Sequence, residues 1–262
     1  MEAQPLKIAT FNANGIRARL QIILDWLQKE SPDILCLQET KVQDKDFPGL
    51  AFEPLGYQAA YCGEKSYNGV AIVSRLPVER VSCGFGDGDE REQSRILSAS
   101  IGGVHLVNTY VPQGYAPDTD RFRYKLDWFQ RLREFFARTF APQDLIAWVG
   151  DFNVAPEPID VYNPKRLLGS VGFHPDEHAA LSYVKSWGFI DVVRKHQPQA
   201  GAYTFWDYRL PQSVQAGLGW RIDHIWATRS LAEKSVKAWI DTNPRCLNKP
   251  SDHTFVIAEF VL

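Results

Sequence analysis

The chain has 262 residues, 45% apolar and 23% charged, with a formal net charge of −2. That is ordinary for a globular protein and long for one core, though large α/β folds reach this size. The near-neutral total argues only weakly against a nucleic-acid partner, because a cluster of metal-binding carboxylates masks an equal number of Lys and Arg. No stretch approaches the length of a membrane span, and the opening MEAQPLKIATF lacks an apolar leader segment, so neither a span nor a signal peptide is expected.

Short apolar runs of β type, bounded by Gly, Pro, Asn or Asp, predict strands at Ile8–Asn12, Ile34–Gln38, Val70–Val73, Leu97–Ile101, His105–Tyr110, Leu145–Val149, Arg221–Ala227 and Phe255–Val261. Between the first two, Leu20, Ile23, Leu24 and Leu27 follow one face of a helix that Pro32 ends. A second helix is expected over about 120–140. Phe122, Leu126, Phe129, Leu132 or Arg133, Phe136 and Phe140 form its apolar stripe, with Arg121, Arg123, Lys125, Arg131 and Arg138 on other faces. A third is expected over about 177–187, closed by Gly188 as a left-handed cap. Many strands and few helices do not fit a regular βαβ repeat. We read one domain, residues 1–262, as a four-layer α/β sandwich: two packed, mainly antiparallel sheets flanked by helices.

Cys36, Cys62, Cys83 and Cys246 contain no CxxC pair, which argues against a zinc ribbon. Cys36 reads as a small core hydrophobe. The pattern suits a reducing, cytoplasmic setting and leaves a disulfide open.

Polar groups able to hold a cation or a phosphate fall where apolar runs end. Asn12 and Asn14 follow IATF, Glu39 follows ILCLQ, Asp151 and Asn153 follow LIAWVG, and Asp252 and His253 precede TFVIAEF. Each has a plainer reading: Asn12 as a turn former, Asp252 as a helix cap or Asx-turn, His253 as a structural histidine. Asp223 is the sharpest case. It lies between Ile222 and Ile225, where a carboxylate is costly to bury without a partner such as His253.

The segments FNANGIR (11–17), LQETK (37–41), NTYVPQG (108–114), GDFN (150–153), YTFWDYR (203–209), GWRIDH (219–224) and KPSDH (249–253) resemble, in order and across essentially the whole chain, the motif series of the exonuclease III family. That family lies within the endonuclease/exonuclease/phosphatase superfamily. The resemblance implies a DNA-repair nuclease that hydrolyses the phosphodiester 5′ of abasic sites in duplex DNA, with 3′–5′ exonuclease and 3′-end-cleaning activity. It implies Mg²⁺, or Mn²⁺, as cofactor and a monomer acting on abasic or 3′-blocked duplex DNA. It also implies catalytic roles for Tyr110, Asp151, Asn153, Asp223 and His253, with Asp151 activating water and Asp223 holding His253 protonated. The metal neighbourhood it implies is Asn12, Glu39, Asp151, Asn153, Asp252 and His253. Lys41, Tyr67, Asn68, Arg95 and Gln113 match DNA-contact positions. Phe205, Trp206 and Trp220 match the aromatics of a pocket for a flipped sugar, with core packing as the alternative for Phe205 and Trp206. Arg209 stands where animal relatives carry an apolar wedge, and His224 is expected to face away from Asp223. The alternatives are another superfamily phosphodiesterase or phosphatase, which would share GDFN and SDH but not YTFW and GWRID, and a non-catalytic DNA-binding module.

Overall fold

The computed structural model describes residues 4–89, 94–210 and 212–262. The strands are β1 (Leu6–Asn12), β2 (Ile34–Gln38), β3 (Gln58–Cys62), β4 (Val70–Ser74), β5 (Glu79–Cys83), β6 (Ile96–Ile101), β7 (Val104–Tyr110), β8 (Ile146–Asp151), β9 (Phe189–Asp191), β10 (Asp223–Thr228), β11 (Ser235–Asp241) and β12 (Phe255–Phe260). The helices are α1 (Ile16–Glu30), α2 (Asp120–Thr139), α3 (Pro164–Leu167), α4 (Pro175–Lys185), α5 (Val192–His196) and α6 (Arg229–Ala232). One sheet has the order β11-β12-β1-β2-β4-β3 and the other β5-β6-β7-β8-β10-β9. Each is antiparallel except for one parallel pair, β1 with β2 and β7 with β8.

The two-residue alternation of side chains builds the layers. Ile8, Ile34, Cys36 and Ile72 point inward to meet Leu106, Ala147, Val149 and Ile225 of the other sheet. Ala9, Phe11, Leu35 and Leu37 point outward onto Ile23, Trp26 and Leu27 of α1. On the opposite surface Val107, Ile146, Trp148 and Trp226 receive Phe129, Leu132 and Phe136 of α2 and Leu181 and Val184 of α4. The order is therefore helix, sheet, sheet, helix, as expected.

The stripe on α2 differs from expectation. Lys125, not Leu126, is fully buried, between Phe122 and Phe129. The third helix starts earlier, at Pro175, behind a capping box of His174 and Glu177. Gly188 follows it at φ 138, outside the left-handed cap region. Cys62 and Cys83 form a disulfide that ties β3 to β5, the edge strands of the two sheets. No helix among the described residues is long and apolar enough to cross a membrane.

Towards one end of the sandwich the interior turns polar. Gln38 Nε2 donates to Asn108 Oδ1 at 2.7 Å and to Thr10 Oγ1 at 2.9 Å, and Asn108 Nδ2 donates to the carbonyls of Leu37 and Ala71. Both sheets are thus pinned where the apolar core stops. The next inward position on β1 is Asn12 and on β7 is Tyr110. On β8 the position after Val149 is Asp151, and on the reversed strand β10 the one before Ile225 is Asp223.

Candidate active site

The same alternation that builds the core delivers these four side chains to one rim. Asp151 is paired in register with Tyr110 on one side and Asp223 on the other. Gly150 makes the close approach possible: at φ 129, a Cβ there would stand 2.0 Å from the carbonyl oxygen of Thr109. Glu39 leaves β2 at φ 49, in the left-handed region. It is held there because Gly15 N donates to its carbonyl at 2.7 Å, while the N–H groups of Thr40 and Lys41 donate to the carbonyls of Gly69 and Asn68. Asn153, at φ 51, turns the chain so that its own N–H donates to Asp151 Oδ1 at 2.8 Å.

Asn12 Nδ2 donates to both Glu39 Oε1 and Asp151 Oδ2, at 2.8 Å each. Asn153 Nδ2 donates to Val111 O at 2.9 Å and to Asp151 Oδ2 at 3.2 Å. Both amides therefore present N–H groups to the carboxylates; in this arrangement they orient ligands rather than offer oxygen. Glu39, Asp151 and His253 each place a ligand atom within 4.8 Å of the others. Asp252 borders the cleft but stands outside that trio, its Oδ1 accepting from Asn14 Nδ2 at 2.9 Å. A hard divalent cation fits a set centred on the carboxylate oxygens of Glu39 and Asp151.

Charge balance follows from these contacts. Burial pushes the Glu39 carboxyl up, but Lys41 Nζ, 2.8 Å away, together with Asn12 and His253, outweighs it and leaves the group below its ordinary value. Burial raises Asp151 to about 7; His253 opposes the rise, and Asp223 and Glu39 reinforce it. For His253 burial favours the neutral ring. The carboxylates of Asp223 and Asp151, with the 2.8 Å bond from Nδ1 to Asp223 Oδ2, overcome that and raise it to about 10. The bond to Asp223 occupies Nδ1 and leaves Nε2, 3.9 Å from Asp151 Oδ2, as the nitrogen available to a phosphate oxygen or a cation. Burial, with Glu39 and Asp151 adding to it, holds the Tyr110 phenol well above its ordinary range.

Glu39 and His253 border a cleft of about 690 Å³, with Asp151 buried beside them, and its walls include Phe205, Trp220, Ile222, Tyr162 and Gly172. Phe205 bridges in β fashion to both Trp220 and His253, its ring centroid 4.9 Å from the imidazole. Gln113 and Tyr115 are shared with a second cavity of about 480 Å³ that holds Tyr67, Asn68 and Arg95. Arg95 stacks over the Tyr110 ring at 4.8 Å. Lys41 also donates to Asn14 Oδ1.

Trp206 corrects the expectation. It is 5% exposed, does not border the cleft, and spends its backbone on Asp252 and Arg245, which is the core-packing alternative. Arg209 is 89% exposed in its side chain and is forked onto Asp207 through Nε and Nη2. His224 faces away from the cleft, as alternation requires.

The endonuclease/exonuclease/phosphatase family model matches residues 9–253. The chain belongs to this family. Within it the chain is 33% identical to the exodeoxyribonuclease III of Haemophilus influenzae, over 97% of this chain and all of that protein. Among solved structures it is similar to an AP endonuclease from Archaeoglobus fulgidus, with 46% identity, a TM-score of 0.96, and coverage of 98% of this chain and 100% of that one. It is also similar to a 3′ phosphatase from Neisseria bound to a product DNA hairpin, with 34% identity, a TM-score of 0.93, and coverage of 97% and 99%. These relatives place the chain in the exodeoxyribonuclease III and AP-endonuclease branch of the family.

Sequence reasoning missed Lys125 and Glu177, which lie behind the cleft, and the wall residues Tyr162, Val171 and Gly172. The wall residues carry no signal in the sequence. Lys125 carried one: it is three residues after Phe122 and four before Phe129, on the buried stripe itself.

Proposed function

We propose that this family member hydrolyses the phosphodiester 5′ of abasic sites in duplex DNA, and trims and cleans 3′ ends, as a Mg²⁺-dependent nuclease that also accepts Mn²⁺. One observation carries the reading: Glu39, Asp151 and His253 converge within 4.8 Å beside a cleft walled by Phe205 and Trp220.

Glu39, with Asp151 beside it, would hold the cation, which would supply stabilisation of the charge that develops on the phosphate and the departing 3′ oxygen. Asp151 takes a proton from the attacking water. A carboxyl raised to about 7 is well placed for that work near neutrality. Asn12 and Asn153 fix its two oxygens. His253, kept charged by Asp223, binds a non-bridging phosphate oxygen, and Tyr110 donates its phenolic proton in a hydrogen bond to the same group. Lys41, Tyr67, Asn68, Arg95 and Gln113 line the path of the backbone. Phe205 and Trp220 receive an abasic sugar, which flips out readily because it has no base to unstack. Arg209, held by Asp207, contacts the groove rather than intercalating. We further propose that the protein acts as a monomer. A cytoplasmic location is part of the same proposal.

The test is incubation with a duplex carrying one tetrahydrofuran abasic mimic, in Mg²⁺ or EDTA. Nicking 5′ of the mimic in Mg²⁺ alone is expected. An intact duplex, together with release of phosphate from an inositol phosphate or phospholipid headgroup, overturns the reading.

A further inference from the structure

We propose that Lys125 is a positioning residue: its buried ammonium, paired with Glu177, locks the Asp151–Asn153 turn and the cleft wall at residues 171–174 into one register. Water activation and selection of the flipped sugar then depend on the same ion pair. The proposal rests on the nuclease reading above and adds a residue to it.

Lys125 and Glu177 side chains are both fully buried. An ammonium has three protons to place. Lys125 Nζ donates to Asn153 O at 2.8 Å, to Gln113 O at 3.3 Å and to Glu177 Oε1. The first carbonyl belongs to the residue whose N–H and amide orient Asp151, and the second to a residue shared by the two cavities. The other oxygen of Glu177 accepts from Gly172 N at 2.7 Å and His174 N at 3.1 Å. Gly172 in turn accepts from Ala155 N at 2.8 Å, closing a ring of bonds between turn and wall. The fit is tight: at φ 86, a Cβ on Gly172 would meet the Trp220 ring at 3.3 Å and Asn153 O at 3.4 Å. A Cβ on Gly114 would meet Lys125 Cδ at 3.1 Å.

Stability alone does not account for the pair. Buried ion pairs lose most of their Coulomb gain to desolvation, and apolar residues of similar volume commonly replace them at no cost. An apolar side chain at 125 would continue the stripe of Phe122 and Phe129. What it would lack is three directed N–H bonds reaching three separate segments.

The double variant Lys125→Met/Glu177→Gln removes both charges together and leaves none unpaired. On the abasic duplex its kcat is expected to fall on the order of 10²-fold, with KM little changed, because a displaced turn costs turnover rather than binding. Its preference for the abasic site over an undamaged nucleotide should narrow. Hydrogen exchange at residues 151–155 and 171–174 should rise together. Lys125→Arg keeps charge and donors but in a planar fork, so its kcat should lie between wild type and the double variant. It also serves as the test if the double variant does not fold. Wild-type kcat in the variants, with only a lowered melting temperature and no joint rise in exchange, overturns the proposal. A wild-type protein that leaves the abasic duplex intact overturns the nuclease reading instead, and the exchange measurement still decides the role of Lys125.

Discussion

His253 and His224 are both buried at strand β10: the first bonds to Asp223 on its inner face, and the second belongs to the strand and projects from its outer face. Burial drives each toward the neutral ring, yet they end far apart. His253 rises to about 10 because Asp223 and Asp151 outweigh burial. His224 falls to about 4, because burial and Arg221 outweigh Asp191 and Asp160. The surrounding charges, not depth, decide the outcome. The inner region places a cation where an anion can reach it. The outer region is a closed scaffold. Arg221 donates to His224 Nδ1 at 3.1 Å, which leaves Nε2–H to donate to Val154 O at 3.0 Å, next to the Asp151–Asn153 turn. Arg221 also pairs with Asp160 and Asp191, and Asp160 with Arg194.

The contrast can be broken most severely at the inner region. Asp151→Asn should lower cleavage of abasic duplex on the order of 10⁴-fold while binding, read by gel shift, persists. Unchanged turnover removes Asp151 from the mechanism. Asp223→Asn should cost on the order of 10²- to 10³-fold, since His253 loses the carboxylate that keeps it charged. The sign follows from the raised value: His253 stays protonated up to about pH 10, so taking Asp223 away moves the alkaline limb of the pH–rate profile downward. A limb that stays in place contradicts the role given to Asp223.

Effects on stability should be smaller and should fall on the scaffold. Cys62→Ser opens the link between the two sheet edges and should lower unfolding free energy by about 3 kcal/mol, measured in urea. Loss of nothing measurable would show that the edges are held without it. His224 should sharpen the comparison by linkage. Its folded value lies below its unfolded one, so its contribution is complete above about 6.5 and is lost as pH falls towards 4. Between pH 7 and pH 5 the loss should be roughly 2 kcal/mol, and His224→Gln should flatten that part of the stability curve. An equal slope in the variant assigns the pH dependence elsewhere.

How much of this could be read beforehand depended on alternation. β2 begins and ends where its apolar run does, and Asn12, Asp151 and Asp223 gather, buried, at the polar end of the sandwich because each continues an inward-facing row. The placement of His224 follows from the same rule. β5 is exposed at every residue, β9 is only Phe189–Asp191, and β11 is interrupted by a bulge near Ser235, so none shows the pattern. Lys125 was hidden among the arginines of α2, where a lysine reads as solvent-facing. Trp206 matched the pocket motif in sequence, but its neighbours Phe205 and Asp207 reach the cleft and it does not. The Asp160–Arg221–Asp191 network joins charges from three distant segments, and no local spacing announces it.

The account turns on one place where cation, phosphate and imidazolium meet. A crystal structure of the wild-type protein with nicked abasic duplex and Mn²⁺ tests it directly, with the ion located by its anomalous signal. The predicted result is an anomalous peak against Glu39, with the 5′ phosphate of the lesion between it and His253 and the sugar against Phe205 and Trp220. A peak away from Glu39 and Asp151, or a lesion phosphate out of reach of His253, would contradict the account.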